Sequence, residues 1–164
     1  MTIAPIVRKV RTKAAPERAF DVFANHIGAW WPKGNGVAAR PLDTVYIEPK
    51  AGGRWVEIDR DGNETPWGKV LTWSPPVRLV LAWQLNADFV YDPELVTEVE
   101  IAFVPDAAGG TEVTLTHSGL ERLGSAAEKQ VASIASGWSR MVERFAGQAD
   151  GESDEAACFW KRLC

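Results

Sequence analysis

Residues 125–148 read SAAEKQVASIASGWSRMVERFAGQ, with no proline and with helix formers at most positions. Val131, Ile134, Trp138, Met141, Val142 and Phe145 recur at helical spacing, which gathers them on one face. Glu128, Lys129, Ser133, Arg140 and Glu143 point mostly elsewhere. The pattern predicts an amphipathic helix of roughly 35 Å at about 1.5 Å per residue, the width of a small domain. Such a stripe has to be covered, and the chain before it offers mainly strands. The expected architecture is an α+β domain with a curved antiparallel sheet wrapped around this one long helix.

Working backwards and forwards from that helix gives the strands. Residues 6–12, IVRKVRT, mix β-branched and charged side chains, as an edge strand does. Pro16 and Glu17 open a short helix whose apolar face is Ala19, Phe20, Val22 and Phe23. A second helical turn covers 26–31 and stops at Pro32. Neighbours on a helix diverge by about 100°, so Trp30 and Trp31 cannot both enter one core from it. One of them is expected to face a groove or mouth. Strands follow at 44–47, 54–59, 66–73, 78–85, 96–104 and 111–118, with a hairpin signal at Asp61-Gly62. The segment 78–85 is the most apolar and is expected at the centre, with Leu79, Leu81 and Trp83 on one face. Val99, Ile101 and Phe103 point inward from the next strand, and Val113 and Leu115 share a face with His117. Residues 86–94 form a loop carrying Phe89 and Tyr91. Connections of hairpin length demand an antiparallel meander of about six to seven strands.

The 164 residues, 46% apolar and 24% charged, suit one globular domain, placed at 1–148. The remainder, 149–164, begins with an acidic, turn-rich run and is expected to be mobile. Its apolar residues Cys158, Phe159, Trp160 and Leu163 leave docking and disorder both open. A net charge of −4 argues against a generic nucleic-acid surface. No stretch approaches the roughly 20 apolar residues of a membrane span, and the N-terminus lacks the apolar core of a signal peptide. Both cysteines, Cys158 and Cys164, read as thiols of a reducing compartment. A cytoplasmic location is therefore expected.

Eight tryptophans are the unusual feature of the composition. Trp31, Trp55, Trp67, Trp83 and Trp138 come from different elements that converge on the gap between sheet and helix. Some must be core; two or three are expected to touch a cavity there, with His117 and Met141 beside them. His117 suits a ligand hydrogen bond or general-base work, or else it is a half-buried histidine satisfied by backbone. No nucleophile with a supporting acid accompanies it, so no catalytic residue is assigned. His26 and His117 are far apart and the cysteines lie in the tail, so no metal or cofactor is expected. Glu57 lies on the face of Trp55; if that tryptophan points inward, the carboxylate is buried and becomes a functional candidate, with Arg54 as its partner on a twisted strand.

Several short motifs occur in order: Pro16-Glu17-Arg18-Ala19-Phe20, Trp30-Trp31-Pro32, Gly52-Gly53-Arg54-Trp55, Gly68-Lys69-Val70, Pro75-Pro76, Thr97-Glu98-Val99, the run from Gly110 to His117, and Gly137-Trp138. Together they resemble the helix-grip, START-like (SRPBCC) superfamily, and within it the activators of heat-shock-protein-90 ATPase and their bacterial relatives (the AHSA branch). The resemblance implies an elongated cavity between sheet and helix, without implying a single activity. It also shows a departure, because the eukaryotic co-chaperones of the branch carry a separate N-terminal domain. The function expected is binding of a hydrophobic or aromatic small molecule. A cyclase- or aromatase-like enzyme is one alternative; a chaperone-associated module, a homodimer or another protein-interaction role is the other.

Overall fold

The computed structural model describes residues 3–38 and 40–151. Strand β1 (Ile6–Thr12) leads into α1 (Pro16–Phe20), a wide π-type turn (Asp21–Asn25) and α2 (Ile27–Trp30). Six strands follow: β2 (Leu42–Ile47), β3 (Arg54–Asp59), β4 (Glu64–Ser74), β5 (Arg78–Trp83), β6 (Thr97–Pro105) and β7 (Thr111–Ser118). A 3-10 turn (Leu120–Ala126) then delivers the chain into α3 (Ala127–Ala149). The sheet order is β1-β7-β6-β5-β4-β3-β2 and every neighbouring pair is antiparallel. The charged first strand sits at an edge and the apolar β5 in the middle, as their compositions require.

The sheet curls because its ladders are interrupted. Register shifts fall at Leu42/Thr44, Trp55/Val56 and Val70/Thr72, and each added residue bends its strand and increases the local twist. Close approach adds to this at Gly68, where a Cβ would stand 1.7 Å from the Ala82 carbonyl oxygen. Any side chain there would force β4 off β5. The concave face carries Leu79, Leu81, Val99, Ile101, Phe103, Val113 and Leu115, all buried. Against it α3 lays Ile134, Trp138, Met141, Val142 and Phe145. Val131, one turn nearer the start, is only half-buried and packs at the core's margin.

Aromatic rings fill one end of the core. Phe23 lies 5.0 Å from Trp30 and 5.1 Å from Phe145 between ring centres, and Phe20 lies 5.2 Å from Phe103. Both tryptophans of the Trp30-Trp31 pair are buried, yet they divide as expected, Trp31 toward a hollow and Trp30 away from it. The reason is local. The helix ends at Trp30, and Trp31 takes extended backbone (φ −72°, ψ 127°), so its ring turns toward the sheet–helix gap while staying 5.9 Å from the Trp30 ring between centres. Trp30 donates its N–H to the Val22 carbonyl, while Trp31 faces the hollow described below.

Polar bonds pin α3 to the first part of the chain. Arg8 Nε donates to Ser139 Oγ at 2.7 Å, and Arg144 Nε to the Trp30 carbonyl at 2.7 Å. Asp150 accepts from the Thr12 hydroxyl (2.6 Å) and the Lys13 amide (2.7 Å), so the acidic run starts from a fixed residue. The expectations for 152–164, including Cys158, Phe159, Trp160, Leu163 and Cys164, lie outside the described residues. Among the described residues no helix is long and apolar enough to cross a membrane.

Candidate ligand cavity

Toward the opposite end of α3 the helix and sheet do not close on each other. A cavity of about 390 Å³ lies between them, within the usual range for small-molecule sites. Ile134, Trp138 and Met141, at i, i+4 and i+7, form the helical wall. The sheet supplies Trp67 from β4 and Trp83 from β5, extended by Leu85 and Phe89. The third wall is irregular chain, Trp31 and residues 34–37.

Five indoles pack edge to face or tilted around this space. Trp31 is 5.0 Å from Trp67 and 6.1 Å from Trp138 between ring centres; Trp83 is 5.6 Å from Trp138. Trp55 stands behind them, 5.5 Å from Trp67 and 5.9 Å from Trp83. Edge-to-face pairs of this kind add about 0.5–1.5 kcal/mol each beyond area burial. The walls are thus held by one another rather than by a guest.

Of the residues expected at the site, Trp31, Trp67, Trp83, Trp138 and Met141 line the cavity. Trp55 and His117 do not. Trp55 is fully buried beneath Trp67 and Trp83, so its ring supports the wall instead of forming it. His117 is fully buried behind Trp83 and Trp138, 5.1 Å from the Trp83 ring. Its Nδ1 accepts the Trp138 indole N–H at 3.1 Å. That acceptor leaves the proton on Nε2, which lies 2.7 Å from Thr97 Oγ1 and donates to it. The threonine hydroxyl passes its own hydrogen to the Trp83 carbonyl at 3.2 Å. Burial pushes His117 down to about 4 from its ordinary 6.5, so it is neutral in mild acid. Neither of the two roles considered from sequence applies: both ring nitrogens are engaged, by side chains rather than backbone. The residue orients Trp138.

Glu57 is buried on the inner face of β3, as the inward Trp55 requires. Oε1 accepts from the Val37 amide (2.6 Å), the Ala38 amide (3.3 Å) and Trp67 Nε1 (2.8 Å). One carboxylate oxygen therefore ties the irregular wall to the sheet wall. Oε2 has no partner among the described residues, nor has Trp55 Nε1. Gly36 comes so near that a Cβ there would lie 2.7 Å from Oε2, and glycine keeps that approach possible. Arg54 is not Glu57's partner. It faces solvent and binds Glu48 at 3.1 Å and Glu64 at 2.7 Å, because strand alternation sends it to the other side.

Residues 34–37, Leu85, Phe89, Ser133, Gly137 and Arg140 line the cavity without having been read as site residues. Loop residues carry no periodicity, so sequence gives them no address. The helical ones were accessible in principle. Gly137 lies about 40° and Arg140 about 100° around the helix from Met141, at the margin of the stripe. Among the described residues no group of three or more His, Cys, Asp or Glu could hold a metal.

Comparison with known proteins agrees with this geometry. The model of the family described as Activator of Hsp90 ATPase homolog 1-like protein matches residues 13–149. The anthrahydroquino-γ-pyrone synthase Txn09, solved in a complex, is 32% identical over 89% of this chain and 97% of its own, with a TM-score of 0.63. The self-sacrificing resistance protein CalC from Micromonospora echinospora is 29% identical over 91% and 96%, with a TM-score of 0.67. Protein NE0264 from Nitrosomonas europaea shares the fold at 16% identity, over 91% and 96%, with a TM-score of 0.65. No functionally curated protein matches. The matched span takes in every element from α1 to α3, and on that ground the chain belongs to the Activator of Hsp90 ATPase homolog 1-like (AHSA1) family.

Proposed function

We propose that the protein binds an aromatic or otherwise hydrophobic small molecule in the cavity between the sheet and α3. One observation carries the reading: a hollow of about 390 Å³ walled by four indoles, Phe89, Ile134 and Met141, braced from behind by Trp55 and His117. Burying apolar surface is worth about 25 cal/mol per Å², and flat indole faces suit a flat guest. The relatives support it in kind, since one is a synthase and the other a resistance protein. Titration with N-phenyl-1-naphthylamine, followed by tryptophan quenching, tests the reading. Saturable quenching, abolished in Trp138→Ala and Trp67→Ala variants that still fold, is the expected result. Linear, non-saturating quenching that the variants share would refute it.

A second reading, an enzyme acting on such a guest, is favoured by the 32% identity to a synthase. Its acid–base group would be Glu57, whose Oε2 is unpartnered among the described residues and lies close beneath Gly36 of the cavity wall. Arg54 faces solvent and His117 is spent on Trp138, so neither would assist. Loss of turnover in Glu57→Gln with guest binding retained would establish the enzyme; unchanged turnover would remove Glu57 from the chemistry.

A further inference from the structure

The cavity wall is apolar except at its rim, and the rim is one-sided in charge. Among the fifteen residues that line it, Arg140 is the sole charged one. Its guanidinium is exposed and has neither an ion pair nor a hydrogen bond among the described residues. This happens on a chain of net charge −4, where three arginines of the sheet are matched: Arg11 with Asp106, Arg54 with Glu48 and Glu64, Arg78 with Glu100. Glu57, buried behind the wall, is held by three N–H donors rather than by a cation. Glu143, one turn on from Arg140, lines a second hollow between α2 and α3 that Arg140 also borders, and no ion pair joins the two side chains.

The helix also keeps the approach to Arg140 clear. Gly137 lies one turn before it, lines the cavity, and a Cβ at that position would meet nothing within 4 Å. Packing does not demand glycine there. A glycine inside a helix costs about 0.5–1 kcal/mol relative to alanine, and what this one leaves is an open strip along the rim, from Ser133 to Arg140.

We propose that Arg140 is a specificity-determining residue and that the guest is an aromatic acid, its rings among the indoles and its acidic group at the rim beside Arg140. The guanidinium, planar and always charged, matches a carboxylate or sulfonate with two parallel N–H donors. The inference rests on the binding role proposed above for the same cavity and adds the chemical class.

Two probes with one ring skeleton separate the claims. 8-Anilinonaphthalene-1-sulfonate carries the acid; N-phenyl-1-naphthylamine lacks it. In the Arg140→Gln variant the sulfonate should bind about fivefold more weakly, the upper end for a solvent-exposed charge pair. The neutral probe should stay within about twofold, and Arg140→Lys should recover part of the loss. Added salt should weaken sulfonate binding to the wild type more than to Arg140→Gln. If both probes bind wild type and Arg140→Gln alike, or weaken equally, the role of Arg140 is refuted while the cavity reading stands. If neither probe saturates on the wild type, the cavity reading falls and this inference with it.

Discussion

Acid should loosen this fold through His117, and the size of the effect follows from its surroundings. The imidazole is neutral, accepts from Trp138 on one side and donates to Thr97 on the other. A second proton would set an N–H against the Trp138 N–H inside a fully buried site. Folding therefore holds the group near 4 while the unfolded chain titrates near 6.5. The unfolded state takes up the proton first as pH falls. The contribution is thus complete above about 6.5 and is lost progressively between about 6.5 and about 4. Each pH unit inside that window costs about 1.4 kcal/mol, so going from about pH 7 to about pH 5 removes about 2 kcal/mol. Urea unfolding at the two pH values measures it. The His117→Gln variant supplies the control, since an amide can accept from Trp138 and donate to Thr97 without titrating. Wild type should lose about 2 kcal/mol more than the variant. Carboxylates held low by arginines and amides, such as Asp106 beside Arg11 and Glu48 beside Arg54, are common to both proteins and cancel in the comparison. Equal pH slopes in the two proteins would show that His117 protonates freely and that the relay is drawn wrongly.

Other substitutions probe the remaining joints. Glu57→Gln weakens the acceptor shared by Val37, Ala38 and Trp67 and should cost about 1–3 kcal/mol. Hydrogen exchange at the Val37 and Ala38 amides should quicken, and unchanged exchange would mean that the loop is held otherwise. Gly137→Ala should stabilise the protein by about 0.5–1 kcal/mol, because its Cβ meets open space, yet narrow the rim. A higher melting temperature with weaker N-phenyl-1-naphthylamine binding is the expected pair of results; unaltered binding would remove Gly137 from the opening. Asp150→Ala deletes the acceptor of Thr12 and Lys13 and should cost about 1–2 kcal/mol in thermal unfolding. No loss would make the α3 terminus independent of β1.

The fold was legible because its signals are long and redundant. The stripe through Ile134, Trp138, Met141 and Phe145, the alternation of Val99, Ile101 and Phe103, and the apolar β5 each specify a face. The cavity was legible only where it coincides with those faces. Trp67, Trp83 and Trp138 announce themselves as inward aromatics, but inward position does not separate a wall from the layer behind it. Trp55 and Trp83 are both buried inner-face indoles, yet Trp83 meets the hollow and Trp55 stands behind it, a difference that strand alternation does not encode. His117 shows the same limit: its face was readable, its partners Thr97 and Trp138 were not, since they join three elements distant in sequence. Arg140 falls off the apolar stripe of α3, in keeping with its exposure. Its place on the rim depends on where the sheet stops covering the helix.

The central claim is that an aromatic guest enters between α3 and the sheet, and the indole N–H resonances report on it directly. Trp31, Trp67 and Trp138 border the cavity, while Trp30 does not line it and holds its N–H, on the side of Phe23, to the Val22 carbonyl. Two-dimensional NMR during addition of N-phenyl-1-naphthylamine should shift the first three saturably, with one shared affinity, and leave Trp30 in place. Shifts at Trp30 alone, or at none of the four, would contradict the account.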